Sequence, residues 1–272
     1  TYQWYAGTVR IENVNGVPTW FASPAEFGAT NLSSSDPIKH SNKGAIGAFI
    51  IEPLGSSWVE DANSRAQATV THPGGVFREF VLIHQNDINL RFGGRYDSNG
   101  NPAAVPNLAE AEDPEDSGQK AFNYRTEPLW KRMGFEPDTP LEQTREFDFT
   151  NVLSNSQVGG DPVTPVFTAA AGVPVRFRVL MPGGHARNSV FNLHGHIWEQ
   201  EPFMFNSTVI GSNPLSEWKG MMFGIGAGSH FDILPKYGAG GRFAVPGDYL
   251  YRNQMSFMFD GGMWGIFRVT SQ

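Results

Sequence analysis

The chain contains no cysteine, so disulfides are excluded and no redox compartment is indicated. It has no run of about 18 apolar residues, which excludes a helical membrane span. Charged residues make up only 17% of the chain, and its net charge is −7 with no Lys/Arg cluster, a pattern that speaks against a nucleic-acid partner. Hydrolase and nucleotide signatures are missing as well: there is no Gly-x-Ser-x-Gly elbow, no His-Glu-x-x-His and no phosphate loop. The chain starts at Thr1 rather than at a methionine, without a basic or apolar leader. The expectation is that a leader has been removed or that the chain is a piece of something longer.

What is there is glycine, proline and aromatic residues: 31 Gly, 19 Pro and 13% Phe, Trp and Tyr. Many short elements joined by turns fit that profile better than long helices. Strand-like runs occur at Ala45–Glu52, Val76–His84, Val173–Leu180, Ser189–Trp198, His230–Leu234 and Gly262–Thr270. Arg176 and Arg178 alternate with Val175, Phe177 and Val179, which places the arginines on a solvent face. Asp97–Gln119 is polar, proline-rich and acidic, and reads as a surface excursion with a short helix at Asn107–Glu112. Thr126–Met133 reads as a short helix that packs Trp130 inward. Two segments, His40–Pro53 and Met258–Ser271, both put Gly-x-x-Gly before a closing strand. The expected organisation is therefore all-β: residues 1–65 form the C-terminal part of one sandwich unit, and residues 66–272 form a near-complete second unit with an irregular insertion at 97–155.

Two motifs carry a resemblance. Val173–Trp198, VPVRFRVLMPGGHARNSVFNLHGHIW, is similar to the strand and His-Pro-x-His-Leu-His-Gly-His motif of multicopper oxidases. Gly247–Val269, GDYLYRNQMSFMFDGGMWGIFRV, is similar to that family's closing His-Cys-His motif, with the spacing kept through Gly262-Met263. The resemblance implies a Greek-key cupredoxin sandwich, copper as cofactor, oxidoreductase chemistry, and a location outside the cytoplasm (secreted, periplasmic or cell-surface). The departures from the family pattern decide what this chain itself offers. The type 1 histidine position is Ser189 and the type 2 position is Asn192, whereas His194 keeps a type 3 position and His196 the final histidine. Arg252, Asn253 and Gln254 stand where His-Cys-His is expected, Met258 stands at the second type 1 histidine, and Met263 keeps the weak axial position. A blue copper site depends on a thiolate in a His2Cys plane, so the chain cannot build one. Its seven scattered histidines also fall short of a complete oxygen-reducing centre. In the first unit, His40 has the type 1 spacing to Ala45, but Ser34, Ser35 and Asp36 replace the His-Cys-His, and a structural role is expected.

His194 and His196 are thus the metal candidates: at i and i+2 on a strand they share a face, and His185 or His230 could add a further ligand. The opposing reading is inherited packing, each ring bonded to backbone. Met204, Met221, Met222 and Met255, with Met258 and Met263, suit Cu(I) but equally fill cores. Arg252 is expected to fill the space of a lost ligand and to pair with Asp260 or Asp248. Glu199 and Glu201 share a side of their strand and read as solvent-exposed. The function expected is a C-terminal portion or subunit of a multicopper-oxidase-like protein, giving at most a His pair to an interface copper site. The alternative is a non-catalytic cupredoxin module without metal. An incomplete first unit leaves an open edge, so another chain or a homo-oligomer is expected to complete it.

Overall fold

The computed structural model describes residues 4–36, 40–41, 44–62, 64–88, 91–104, 119–135, 153, 159–184, 189–204, 207 and 209–272. The expected helix at Asn107–Glu112, the inward packing of the Trp130 side chain, and His185 lie outside the described residues.

Two hairpins lead the chain. β1 (Gly7–Val14) pairs with β2 (Val17–Pro24), and β3 (Gly28–Ser33) pairs with β4 (Ile46–Ile51). Then follow β5 (Ser57–Asp61), β6 (Ser64–His72), β7 (Gly75–Ile88), β8 (Arg91–Tyr96), β9 (Pro102–Ala104), β10 (Gln119–Phe122) and a one-turn helix α1 (Leu129–Arg132). The last third holds β11 (Val166–Ala170), β12 (Val175–Leu180), β13 (Ser189–Leu193), β14 (Trp198–Glu199), β15 (Trp218–Lys219), β16 (Met221–Ile225), β17 (His230–Ile233), β18 (Gly247–Asn253), a short helix α2 (Ser256–Asp260) and β19 (Trp264–Thr270).

These strands make a sandwich. One sheet runs β17-β12-β7-β6-β5, with β10 added to β7, and the other runs β11-β19-β18-β13-β16. Most pairs are antiparallel, but β12 lies parallel to β7, and β11 lies parallel to β19. Alternation explains the packing: Phe80, Leu82, Phe177 and Val179 from the first sheet meet Phe167, Phe191, Tyr251 and Phe267 from the second in one buried cluster. The Phe80 and Phe167 rings stack 4.9 Å apart at its centre. β5 lies N-terminal to the expected boundary at residue 65, yet it hydrogen-bonds to β6 and extends the large sheet.

The solvent exposure expected for Arg176 and Arg178 is corrected by the structure. Arg178 has no exposed surface and Arg176 is only partly exposed. The two-period rule holds, but β3 lies across β12 and β17 and β4 lies against β7, so that face of the sheet is a second interior. Arg176 pairs with Glu26, while Arg178 reaches Glu52 at 2.5 Å, Asp232 at 2.6 Å and Glu79 at 2.8 Å. The hairpin is tied down on the same spot, because Ala29 N–H donates to Asp232 Oδ1 at 3.0 Å. Gly28, at φ +68°, makes this approach possible: a Cβ there would stand 2.1 Å from Asp232 Oδ2. Gly28→Ala is expected to cost about 2 kcal/mol, from left-handed strain plus displacement of Asp232, read as a lowered denaturant midpoint.

Candidate functional site

The residues at the expected copper-motif positions come together at one end of the five-stranded sheet. Ser189 opens β13, Asn253 closes β18, Met258 sits on α2, and Met263 precedes β19; all four are fully buried. Asn253 organises them. Its Oδ1 accepts from Val190 N–H at 3.1 Å and from Met255 N–H at 3.2 Å, and its Nδ2 contacts Met263 Sδ at 3.8 Å. Its backbone N–H donates to Met263 O at 2.9 Å, and Met263 N–H donates to Met258 O at 3.0 Å. The Asn253 amide therefore ties the ends of β13 and β18 to the loop before β19. Its carbonyl oxygen is already engaged twice, which leaves a hydroxyl and two thioethers as the other donors. That set does not fit type 1 copper, which needs a thiolate and two imidazoles.

The histidine pair is placed differently from expectation. The expected single strand Ser189–Trp198 breaks after Leu193, because Gly195 takes φ +73° in a turn with His194. The rings therefore do not stand at i and i+2 of one strand. His196 is buried, its Nδ1 lies 2.9 Å from His194 O, and its Nε2 accepts from Gly240 N–H at 3.1 Å. With both ring nitrogens on backbone groups, His196 acts as a strut between the turn and the Gly240 loop, and its ring packs against Tyr249 and Phe267. His194 is exposed. Its pKa is lowered, first by burial of part of the ring and then by Arg252.

Arg252 is the Cα partner of Asn192, across from the His194 turn. It donates from Nε to Gln254 Oε1 at 3.0 Å and lies 4.6 Å over the Phe259 ring. Asp260 supports its charge, whereas Asp248 is engaged by Arg268 at 2.8 Å. Of the two expected partners, Asp260 is therefore the one that serves Arg252. A cation beside His194 and Asn192 opposes a second cation in the same place. His230 opens β17 in the other sheet, and no three His, Asp or Glu side chains gather to hold a metal among the described residues. Glu199 accepts from Asn213 N–H at 2.7 Å and from Ser212 Oγ at 3.3 Å, so it holds a loop rather than pairing with Glu201. In the first unit, His40 Nδ1 lies 2.8 Å from Ser34 Oγ, a local contact inside the loop between β3 and β4.

No protein-family model matches the chain, and no curated protein matches it. Among solved structures it is similar to a multicopper oxidase, at 16% identity and a TM-score of 0.48, over 98% of this chain and 71% of that one. The likeness is one of fold alone. A copper nitrite reductase from Nitrosomonas europaea matches at 16% identity and TM-score 0.47, over 93% of this chain and 66% of that one. A laccase from Botrytis aclada matches at 14% identity and TM-score 0.46, over 94% of this chain and 37% of that one. The chain thus spans between 37% and 71% of the length of these three neighbours.

Sequence reasoning missed two groups. The first is the charge cluster around Arg178, whose partners come from segments far apart in the chain. The second is His84 on β7, fully buried, with neither ring nitrogen hydrogen-bonded among the described residues and its ring centre 4.7 Å from that of Phe122 in a T-shaped contact.

Proposed function

We propose that this chain is a cupredoxin-type portion of a multicopper-oxidase-like protein that serves as a structural module and carries no electron-transfer copper of its own. The observation that carries the reading is the Asn253 amide, which closes the motif end of the sheet with hydrogen bonds to Val190 and Met255 and a contact to Met263. In this reading the Asn253 amide rather than a metal holds that end of the sheet together, while Ser189 Oγ and Asn192 Oδ1 are buried without hydrogen bonds among the described residues. The strut role of His196 and the cation at Arg252 point the same way.

A second reading has one observation in its favour. His194 presents an exposed imidazole whose lowered pKa favours the neutral, ligating form at neutral pH, so it remains a candidate ligand for copper completed from outside the chain. Its companions would come from another chain or from a second copy. The first unit offers a surface for one: Val9, Ile11 and Trp20 lie exposed on a single face of the β1–β2 hairpin. Trp4, Phe27, Leu32, Phe49 and Ile51 also line a groove of about 340 Å³ beside β3 and β4. A location outside the cytoplasm belongs to the same reading.

Elemental analysis with visible absorption, on protein isolated with its natural partners, separates the two. The expected result is no blue band from this chain and no copper that depends on His194. Copper lost in His194→Ala but kept in His196→Gln would replace the structural reading with the interface one. A blue band in the isolated chain would overturn both.

A further inference from the structure

The junction between the β3–β4 hairpin and the large sheet holds an unbalanced set of charges. Two guanidinium groups, Arg176 and Arg178, face four carboxyl groups, Glu26, Glu52, Glu79 and Asp232. All six are largely withdrawn from water, with side-chain exposures of 12% or less. Buried charges of this kind persist only when paired, and here two carboxyl groups exceed the cations available.

The excess is concentrated where Glu52, at the end of β4, meets Glu79, on β7. Arg178 bonds one oxygen of each, Glu79 Oε1 from Nε at 2.8 Å and Glu52 Oε1 from Nη2 at 2.5 Å, so one guanidinium gathers both carboxyl groups. Glu52 Oε2 is buried without a hydrogen bond among the described residues, with Arg176 Nη1 3.9 Å away. Two carboxylates cannot supply a donor; a carboxylic acid and a carboxylate can, with Glu79 donating to Glu52. We infer that the Glu52–Glu79 pair is a pH-sensitive latch, holding the β3–β4 hairpin on the large sheet while one proton is shared and loosening it when the proton leaves.

The surroundings agree. Burial, then the Glu52 hydrogen bond, raise the Glu79 pKa to about 7. Glu52 is held low despite its own burial, by the bond from Glu79 and by Arg178 and Arg176. Glu26, on the segment before β3, is raised by burial against the pull of Arg176, and Asp232 on β17 is occupied by Arg178 and Ala29 N–H. From β5 and β6 the remaining charged neighbours are Glu60 and Arg65. Those two line, with Glu52, Glu79 and Trp58, a cavity of about 440 Å³.

The direction follows from linkage. A carboxyl whose folded pKa lies above its usual value favours the latched form at low pH, and that advantage is lost as pH rises through about 7. If Glu79 regains its ordinary pKa of 4.5 once the hairpin lifts, the latched-to-open ratio falls by on the order of 10²-fold between about pH 5 and pH 8.

The test is amide hydrogen exchange of residues 28–33 and 46–51 in the full chain between about pH 5 and pH 8, corrected for intrinsic exchange. Wild-type protection is expected to fall by on the order of 10²-fold with rising pH. Glu79→Gln, whose amide donates permanently to Glu52, is expected to stay protected throughout. A flat wild-type profile, or a wild-type slope kept in Glu79→Gln, overturns the latch. Carboxyl carbon NMR on the unmodified protein decides independently of how the variant folds: one glutamate must titrate near neutrality, and its absence overturns the proposal.

Discussion

Arg178→Met is expected to lower stability at neutral pH by about 3–5 kcal/mol, the range for removing one member of a buried ion cluster. Methionine replaces the volume of the arginine stem, so lost packing contributes little. The cost comes from Glu52, Glu79 and Asp232, which lose the one group that touches all three. Burial by itself disfavours the Arg178 charge, but Asp232, Glu79 and Glu52 outweigh it and raise its pKa. Without the guanidinium, the carboxyl groups can only respond by taking up protons. The variant is therefore expected to recover part of its deficit as pH is lowered, while Arg178→Lys recovers less than half of it, because one ammonium cannot span three carboxylates. Urea midpoints at two pH values read both effects; equal deficits in acid and at neutrality would show that packing, not charge, is at stake.

The second large effect concerns acid. His84 is fully buried, and burial lowers its pKa to about 3 from the ordinary 6.5. Between those two values the unfolded chain binds a proton that the folded chain refuses. Stability is thus intact above about pH 6.5 and drains as pH falls, by up to roughly 5 kcal/mol at the bottom of the window. His84→Leu fills much of the same space between Phe122 and Phe191 and has no proton to take up. Its denaturant midpoint is expected to lose this acid limb while remaining equal to or above wild type at neutral pH, since two unbonded ring nitrogens leave the core. An acid limb of unchanged depth would assign acid sensitivity to other groups. Glu79 acts in the opposite sense, and its window overlaps that of His84 between about pH 4.5 and 6.5, so there the two slopes offset each other.

The all-β class was legible because β-branched and aromatic residues alternate through runs such as Val175–Leu180 and Trp264–Thr270, a pattern that needs only nearest neighbours. Arg178 was misplaced for a physical reason. Alternation tells which residues share a face, not whether that face meets water, and the cover here comes from Glu26 and Glu52, more than a hundred residues earlier. The geometry of His194 and His196 was not legible: the turn at Gly195 and the acceptor role of His196 toward Gly240, 44 residues on, have no local signature. Asn253 did carry a signal. An asparagine at a strand end readily accepts from the N–H two residues later, as it does from Met255. His84 at the end of an apolar run gave none.

The hydrogen bond from Ala29 to Asp232 spans 203 residues of chain. Ribosomes add about 5–20 residues per second, so β3 and β4 exist for roughly 10–40 s before the strand that anchors them has been made. The parallel pairing of β11 with β19 likewise waits for the last strand. Such distant contacts make folding slow. Through that interval Ala29, fully buried in the finished fold, and the inner face of its hairpin have nothing of the sandwich to rest on, which is the condition that recruits a holding chaperone. The β3–β4 hairpin is made long before the strand that fixes it in place.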